Sequence, residues 1–347
     1  RGGLALGTIG LMVIISCMNG LSVAGMAIGA TVALPELLKR GYNKVMVTGV
    51  IQAGSSLGIL IPPSVVLVLY AMIARQPVLQ LWLAGIGPGL LMAALFSIYI
   101  YIRCRINPEL GPTLPKEELE RITWGERISS LQVGLLPLVI FGTMMGLFLT
   151  GVTSLVESSA IGALLATLAA LFTKRLTKVV WETTTRNTLT ITCMFLWIIL
   201  AALCFSSVYD GLGAVKAIER LLLGTFDLSP WTILILMLFS FIILGMFLDD
   251  TAMLVIVAPL YIPLVKSLGF NPIWFGILYT ITCQIAYITP PFGYNLFMMR
   301  ALAPKEVTLM DIYRSIVPFF FLMVLTIIIL MIFPQIAMWL PNWYMGK

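Results

Sequence analysis

Histidine is absent from this 347-residue sequence. That removes imidazole catalysis, a histidine metal site and a histidine proton relay together. Charge is scarce too: Asp, Glu, Lys and Arg make up 10% of the chain, against roughly 25% in a soluble domain. The five cysteines (Cys17, Cys104, Cys193, Cys204, Cys283) show no CxxC spacing. They read as small apolar packing residues rather than disulfides or metal ligands. No GxxxxGK[ST], HExxH or GxGD pattern occurs, which excludes a primary pump in this chain and gives an intramembrane enzyme no chemistry to work with. What is present is apolar. Hydrophobic residues are 60% of the chain and the mean hydropathy is +1.04, as in an all-α polytopic membrane protein. The net charge of +6 is loop charge, not a nucleic-acid signal.

Two short breaks organise the apolar sequence: Ile61-Pro62-Pro63-Ser64 and Thr289-Pro290-Pro291-Phe292. A proline pair cannot continue a helix, because each proline removes a donor and clashes with the preceding turn. At membrane depth such a break survives only inside protein or along a polar cavity. The same spacing of 228 that joins Pro62 to Pro290 also places Pro35 on Pro263 and Gly41-Tyr42-Asn43 on Gly269-Phe270-Asn271. Turn residues falling on turn residues without a gap indicate an internal duplication. Residues 131–228 precede the second unit, and nothing in the chain matches them ahead of the first. The expectation is an N-terminally truncated chain, or partner helices supplied from elsewhere.

Residues 3–18 and 23–38 are two apolar arms around the polar tip Asn19-Gly20-Leu21-Ser22. Each arm spans about 24 Å, short of a full crossing, which suggests a re-entrant hairpin; one ordinary span with a loop is the alternative. A helix broken at Pro62-Pro63 follows over 45–60 and 64–74, then a span at 79–102 and a polar stretch at 103–130. Spans are expected at 131–150, 153–173 and 188–208, with a basic surface piece carrying Lys174, Arg175, Lys178 and Arg186 before the third. The hairpin pattern returns at 231–244 and 251–267 around Gly245–Thr251, the broken helix at 273–288 and 292–302, and a last span at 313–339. With both hairpins re-entrant, Arg75, Lys216, Arg220, Lys266 and Lys347 fall on one side and the other basic residues on the opposite side. The positive-inside rule makes the richer side cytoplasmic and the two repeats inverted.

Inverted repeats bring irregular backbone to the midplane. Freed carbonyls and hydroxyl, amide or carboxylate oxygens there suit a hard cation. Exposed helix N-termini suit an anion. The first set offers Asn19, Ser22, Ser55, Ser56, Gly58 and the carbonyls around Ile61. The second offers Gly245, Asp249, Asp250, Thr251, Thr289, the carbonyls around Ile288, and Asn295. A carboxylate at membrane depth marks function by default, so Asp249 and Asp250 stand out, although Asp250 also suits a helix cap. Glu157 fits a cap or a scaffold contact as well as transport chemistry. Glu36 reads as a solvated partner of Lys39 and Arg40.

The stretches Gly54-Ser55-Ser56-Leu57-Gly58-Ile59-Leu60-Ile61-Pro62-Pro63-Ser64, Ala84-Gly85-Ile86-Gly87-Pro88-Gly89-Leu90, Gly245-Met246-Phe247-Leu248-Asp249 and Thr289-Pro290-Pro291-Phe292-Gly293-Tyr294-Asn295 resemble the large membrane subunit (DctM/SiaM type) of tripartite ATP-independent periplasmic (TRAP) transporters, over essentially the whole chain. The resemblance implies an elevator-type ion-transporter fold and a bacterial inner-membrane location. It implies no cofactor beyond coupling sodium ions, and uptake of a small organic acid. A small membrane subunit (DctQ/SiaQ type) and a periplasmic substrate-binding protein (DctP/SiaP type) complete such systems. Sodium is then expected at Asn19, Ser22, Ser56, Gly58, Ile61, Gly245, Asp249 and Thr289, and substrate at Ser64, Asp249, Asp250, Thr251 and Asn295. The first tip departs from the family's Ser-Gly-Ser-Ser, since Leu21 carries no side-chain oxygen. The implied division is a transport domain over 1–78 and 229–303, a scaffold helix and cytoplasmic linker over 79–130, scaffold and arm helices over 131–228, and a C-terminal scaffold helix over 304–347. A two-hairpin anion transporter that needs no binding protein is the competing assignment.

Overall fold

The computed structural model describes residues 2–113, 124–213, 216–217, 220–221, 227–291 and 293–346; the side chains at 16, 17, 19, 124–134, 206, 209 and 210 lie outside that description. The first apolar run folds as α1 (Gly3–Asn19), a reversal at Gly20-Leu21, and a second arm of α2 (Ser22–Ile28), a π-turn at Gly29–Ala33 and α3 (Leu34–Lys39). Pro35 has no N–H to return to the turn before it, and the wider π-turn sits just ahead of it. Asn43 caps α4 (Lys44–Ser56) by accepting from Val45 N–H at 3.0 Å and Met46 N–H at 3.2 Å. The helix tightens into a 3₁₀ turn at Leu57–Ile59 and breaks, and α5 (Val65–Ala74) restarts on Ser64. α6 (Val78–Ile106) is a full span.

Residues 114–198 cluster as a compact unit of their own. In it α7 (Trp124–Leu149) folds back onto α8 (Leu155–Phe172), with Gly162 against the Met144 side chain. Glu157 closes a capping box with Ser154, which settles its role as a helix cap. The third helix, α9 (Lys178–Gly211), corrects the sequence reading. The basic piece is not a separate surface helix followed by a span; from Lys178 onward it is the first turns of one 34-residue helix. Neither glycine nor proline occurs between Lys178 and Asp210, so nothing stops the apolar span from propagating back through it.

The second repeat reproduces the first. α10 (Pro230–Gly245), a turn at 246–249 and α11 (Asp250–Ser267) form the hairpin; α12 (Pro272–Tyr287), a break and α13 (Tyr294–Leu302) form the split helix. Asn271 caps α12 by accepting from Ile273 N–H and Trp274 N–H, as its repeat mate Asn43 caps α4. Gly41 and Gly269 both turn the chain at positive φ, +77° and +82°. α14 (Leu309–Ile332) then ends earlier than expected, and α15 (Gln335–Tyr344) is separate. Pro334 disfavours the helical region for the residue before it, and Phe333 sits at φ −121°, ψ 70°.

The two hairpins open towards opposite ends of the unit formed by residues 1–113 and 199–347. Near the mouth of the first, Gly2 N–H bonds Gly111 O, Asn43 N–H bonds Leu110 O, and Lys44 pairs with Asp311 at 2.8 Å. Burial pushes the Tyr42 phenol up, so it stays neutral and accepts the Leu4 N–H there. Near the mouth of the second, Tyr70 donates to Pro272 O at 2.7 Å and Trp274 donates to Leu330 O at 3.0 Å. Lys39, Arg40, Lys44, Arg103, Arg105, Arg300, Lys305 and Arg314 thus cluster at the first end, and Arg75 and Lys266 line one small cavity at the other. Among the described residues six helical stretches are long and apolar enough to cross a membrane, and two of them, Ser22–Lys39 and Asp250–Ser267, are the second arms of the two hairpins.

Candidate functional site

Glycine seats each hairpin on a helix break. Gly20 turns the first tip at φ +64°, and a Cβ there would lie 2.6 Å from the Pro63 carbonyl oxygen. The Val65 N–H, at the start of α5, donates to Gly20 O at 3.3 Å. Gly245 ends the first arm of the second hairpin, and a Cβ there would lie 2.5 Å from Ala286 Cβ, just before the second break. Side chains of any size at Gly20 or Gly245 would push tip and break apart.

The first tip also crosses to the second repeat. Ser22 Oγ donates to Asn295 Oδ1 at 3.0 Å, and both residues are buried. Ser22 starts α2 and Asn295 lies in the first turn of α13, so two helix N-termini meet at this bond, with α5 beginning against the same tip. Gln284 Nε2 donates to Ser56 O at 2.9 Å. These two positions are themselves related by the repeat spacing of 228, so the pseudo-two-fold axis passes between them. Three buried polar atoms in this unit have no hydrogen-bond partner among the described residues: Gln52 Oε1, Gln284 Oε1 and Asn295 Nδ2. An amide oxygen left open beside an unwound helix suits a cation, and an open amide N–H suits a carboxylate.

The remaining sequence candidates divide into those at this centre and those held locally. Ser56 is buried at the end of α4, with its hydroxyl on Ala53 O. Gly58 lies in the buried 3₁₀ turn. The Ile61 side chain fills the space left by Gly89. Ser64 caps α5: its hydroxyl donates to Ile59 O and accepts from Leu67 N–H, while its own carbonyl accepts from Trp82 Nε1 at 3.2 Å. Thr289 Oγ1 bonds back to Ile285 O. Asn19 ends α1, and its side chain lies outside the described residues. In the second tip the capping role falls one residue earlier than expected. Asp249, exposed, accepts from Ala252 N–H at 3.1 Å and is the N-cap, and Asp250 is the first helical residue. The Asp250 carbonyl accepts from Tyr279 OH at 2.8 Å, its carboxylate faces the Tyr287 phenol, and Thr251 follows half-buried in the first turn.

Sequence reasoning missed Gln52, Gln284, Tyr279 and Tyr287. The signal for the glutamines was available, since an isolated amide in an apolar span is a functional candidate by itself, and Gln284 is the repeat mate of Ser56.

A profile of the tripartite ATP-independent periplasmic transporter DctM component matches residues 1–336. The C4-dicarboxylate TRAP transporter large permease protein DctM of Pseudomonas aeruginosa is 30% identical over 351 residues, covering 99% of this chain and 78% of its own length. The chain belongs to this family. The ectoine TRAP transporter large permease protein TeaC of Halomonas elongata is 29% identical and covers 99% of this chain and 78% of its own length. The sialic acid TRAP transporter permease protein SiaT of Haemophilus influenzae is 27% identical, covering 98% of this chain and 54% of its own length. The crystal structure of the Alcanivorax borkumensis YdaH transporter superposes with a TM-score of 0.61 at 15% identity, over 97% of this chain and 83% of that one, which is a likeness of fold. As a TRAP large permease, the protein is a multi-pass inner-membrane transport component and not an enzyme.

Proposed function

We propose that this TRAP permease carries out sodium-coupled uptake of a small organic acid by an elevator motion, taking substrate from a periplasmic binding protein and working with a small membrane subunit. The observation that carries the proposal is the seating of both hairpin tips on both helix breaks about one pseudo-two-fold axis. Sodium is held by oxygens at the tips and breaks: Asn19, Ser22, Ser56, Gly58 and Ile61 in the first repeat, Gly245, Asp249 and Thr289 in the second, with the open amide oxygen of Gln284 as an additional ligand. The acid is held where the N-termini of α2, α5 and α13 converge, by Ser64 and Asn295, with Asp249, Asp250 and Thr251 closing the site from the second tip. Relatives named for a C4-dicarboxylate and for sialic acid favour an acid substrate.

Packing bears on which parts move. α6 and α14, assigned from sequence to the scaffold, touch the broken helices at close range: a Cβ at Gly85 would lie 2.3 Å from Leu60 O, and one at Gly49 would lie 2.5 Å from Ser315 O. Surfaces interlocked this closely move together. We therefore place α6 and α14 with the hairpins in the moving part, and the separate unit of 114–198 in the stationary part.

The test is uptake into proteoliposomes holding the permease and its small partner, with and without the binding protein and an inward sodium gradient. Uptake that needs both supports the proposal. Uptake that ignores the binding protein would favour a self-sufficient two-hairpin anion transporter, and uptake indifferent to sodium would remove the assigned coupling ion.

A further inference from the structure

A cavity of about 410 Å³ lies at the same end of the unit as the first hairpin's mouth, between the end of α6 and the start of α14. It is far from the tips and breaks, and the transport proposal does not use it. Arg103, in the last turn of α6, and Arg314, in the second turn of α14, both line it. Tyr99, one turn before Arg103, lies beside the Arg103 guanidinium and is fixed by an edge-on contact with Phe319 at 5.5 Å. The rest of the lining is largely apolar, with Met46, Pro318 and Phe319 prominent.

Among the described residues the charges here are unopposed. The neighbouring carboxylate Asp311 is taken by Lys44, and among the described residues no acid, Glu109 included, pairs with Arg103 or Arg314. Two unpaired guanidiniums over an apolar floor match a phosphate ester attached to hydrocarbon. The position matches as well. Below the two arginines both helices turn towards apolar surroundings, with Ile98, Ile102, Val317 and Phe321 exposed outward. Both guanidiniums therefore sit at head-group level, where the apolar run of each helix meets its basic end.

We propose that this cavity binds one anionic phospholipid, its phosphate clamped by Arg103 and Arg314 and the start of an acyl chain lying on Pro318 and Phe319. The lipid then bridges α6 and α14. Inorganic phosphate has no use for the apolar floor, and a zwitterionic lipid sets its own cation against the two guanidiniums.

The experiment is native mass spectrometry of the full-length permease with its small membrane subunit, in detergent, offered phosphatidylglycerol, phosphatidylcholine or inorganic phosphate. The expected result is a preference of roughly ten- to thirtyfold for phosphatidylglycerol over phosphatidylcholine, from two basic contacts, with no phosphate adduct. Arg103→Gln with Arg314→Gln brings the two lipids to parity, while the paired lysine substitutions keep most of the preference. Equal retention of the two lipids by the unaltered protein overturns the proposal, as it does if the companion subunit covers the cavity. A phosphate adduct as strong as the lipid's, or a glutamine pair that folds normally and keeps the preference, overturns it too.

Discussion

The two hairpin tips do the same structural job with opposite chemistry. The first is the more closed and is neutral: Leu21 is 41% exposed, but Gly20 is buried against Pro63, and Ser22, 2% exposed, is tied to Asn295. The second is open and acidic: Phe247 is 61% exposed, and Asp249 faces outward while capping α11. Around them the repeats are close copies, down to the Asn43 and Asn271 caps and the glycines before them. The duplication thus fixes where the tips are held, and only a handful of residues at the tips differentiate their chemistry. In the transport proposal the closed tip contributes oxygens from fixed positions, and the open tip carries the charge that a cation and a returning substrate meet.

The comparison breaks hardest at Gly20. Gly20→Val adds a left-handed strain and a clash with the Pro63 carbonyl, together costing roughly 2–6 kcal/mol. Little folded permease should survive, as judged by its thermal unfolding and its yield from the membrane. The same substitution at the unencumbered Gly142 should be mild, and similar losses at both positions would discount the seating. Ser22→Ala comes next. It strips the Asn295 amide of its partner and should cost about 1–3 kcal/mol, with a clear fall in uptake; a variant with normal stability would mean that the tie contributes nothing.

Asp249 allows charge to be separated from capping. Asp249→Asn keeps a good cap, so its melting temperature should stay near the unaltered protein's while uptake is lost. Asp249→Ala loses uptake as well, inserts normally, and gives up about 1 kcal/mol of cap stability. Normal uptake in Asp249→Asn would reduce this carboxylate to a structural role. The smallest effects are expected where the repeats agree: Asn43→Ala and Asn271→Ala should each cost about 1 kcal/mol, equally in the two halves, and a large inequality would weaken the symmetry.

Much of this arrangement was legible in the chain because turns are local. Proline pairs, Gly-Tyr-Asn against Gly-Phe-Asn, and polar tips between short apolar arms determine backbone geometry within a few residues of themselves, so hairpins, breaks and inversion follow from spacing. What failed was less local. The continuity of α9 depends on the absence of a stop signal, which the run of charge obscured. The end of α14 was written in Pro334 and passed over inside a long apolar run. The centre was half read. Ser22, Ser56 and Asn295 were named and Gln284 was not, and the pairing of Ser22 with Asn295 and of Gln284 with Ser56 across a pseudo-axis depends on packing that spacing alone does not specify. Asp249 drew attention for its charge, and its capping role needed the helix boundary to within one residue.

The most direct test of the paired tips and breaks as a sodium site is the thermal stability of the purified permease in sodium against equal potassium at constant ionic strength. The account predicts that sodium raises the melting temperature in a saturable way and potassium does not. It also predicts that Ser22→Ala and Asp249→Asn each weaken the sodium response, without giving potassium one. Identical curves in the two salts, or a sodium response untouched by both substitutions, would contradict it.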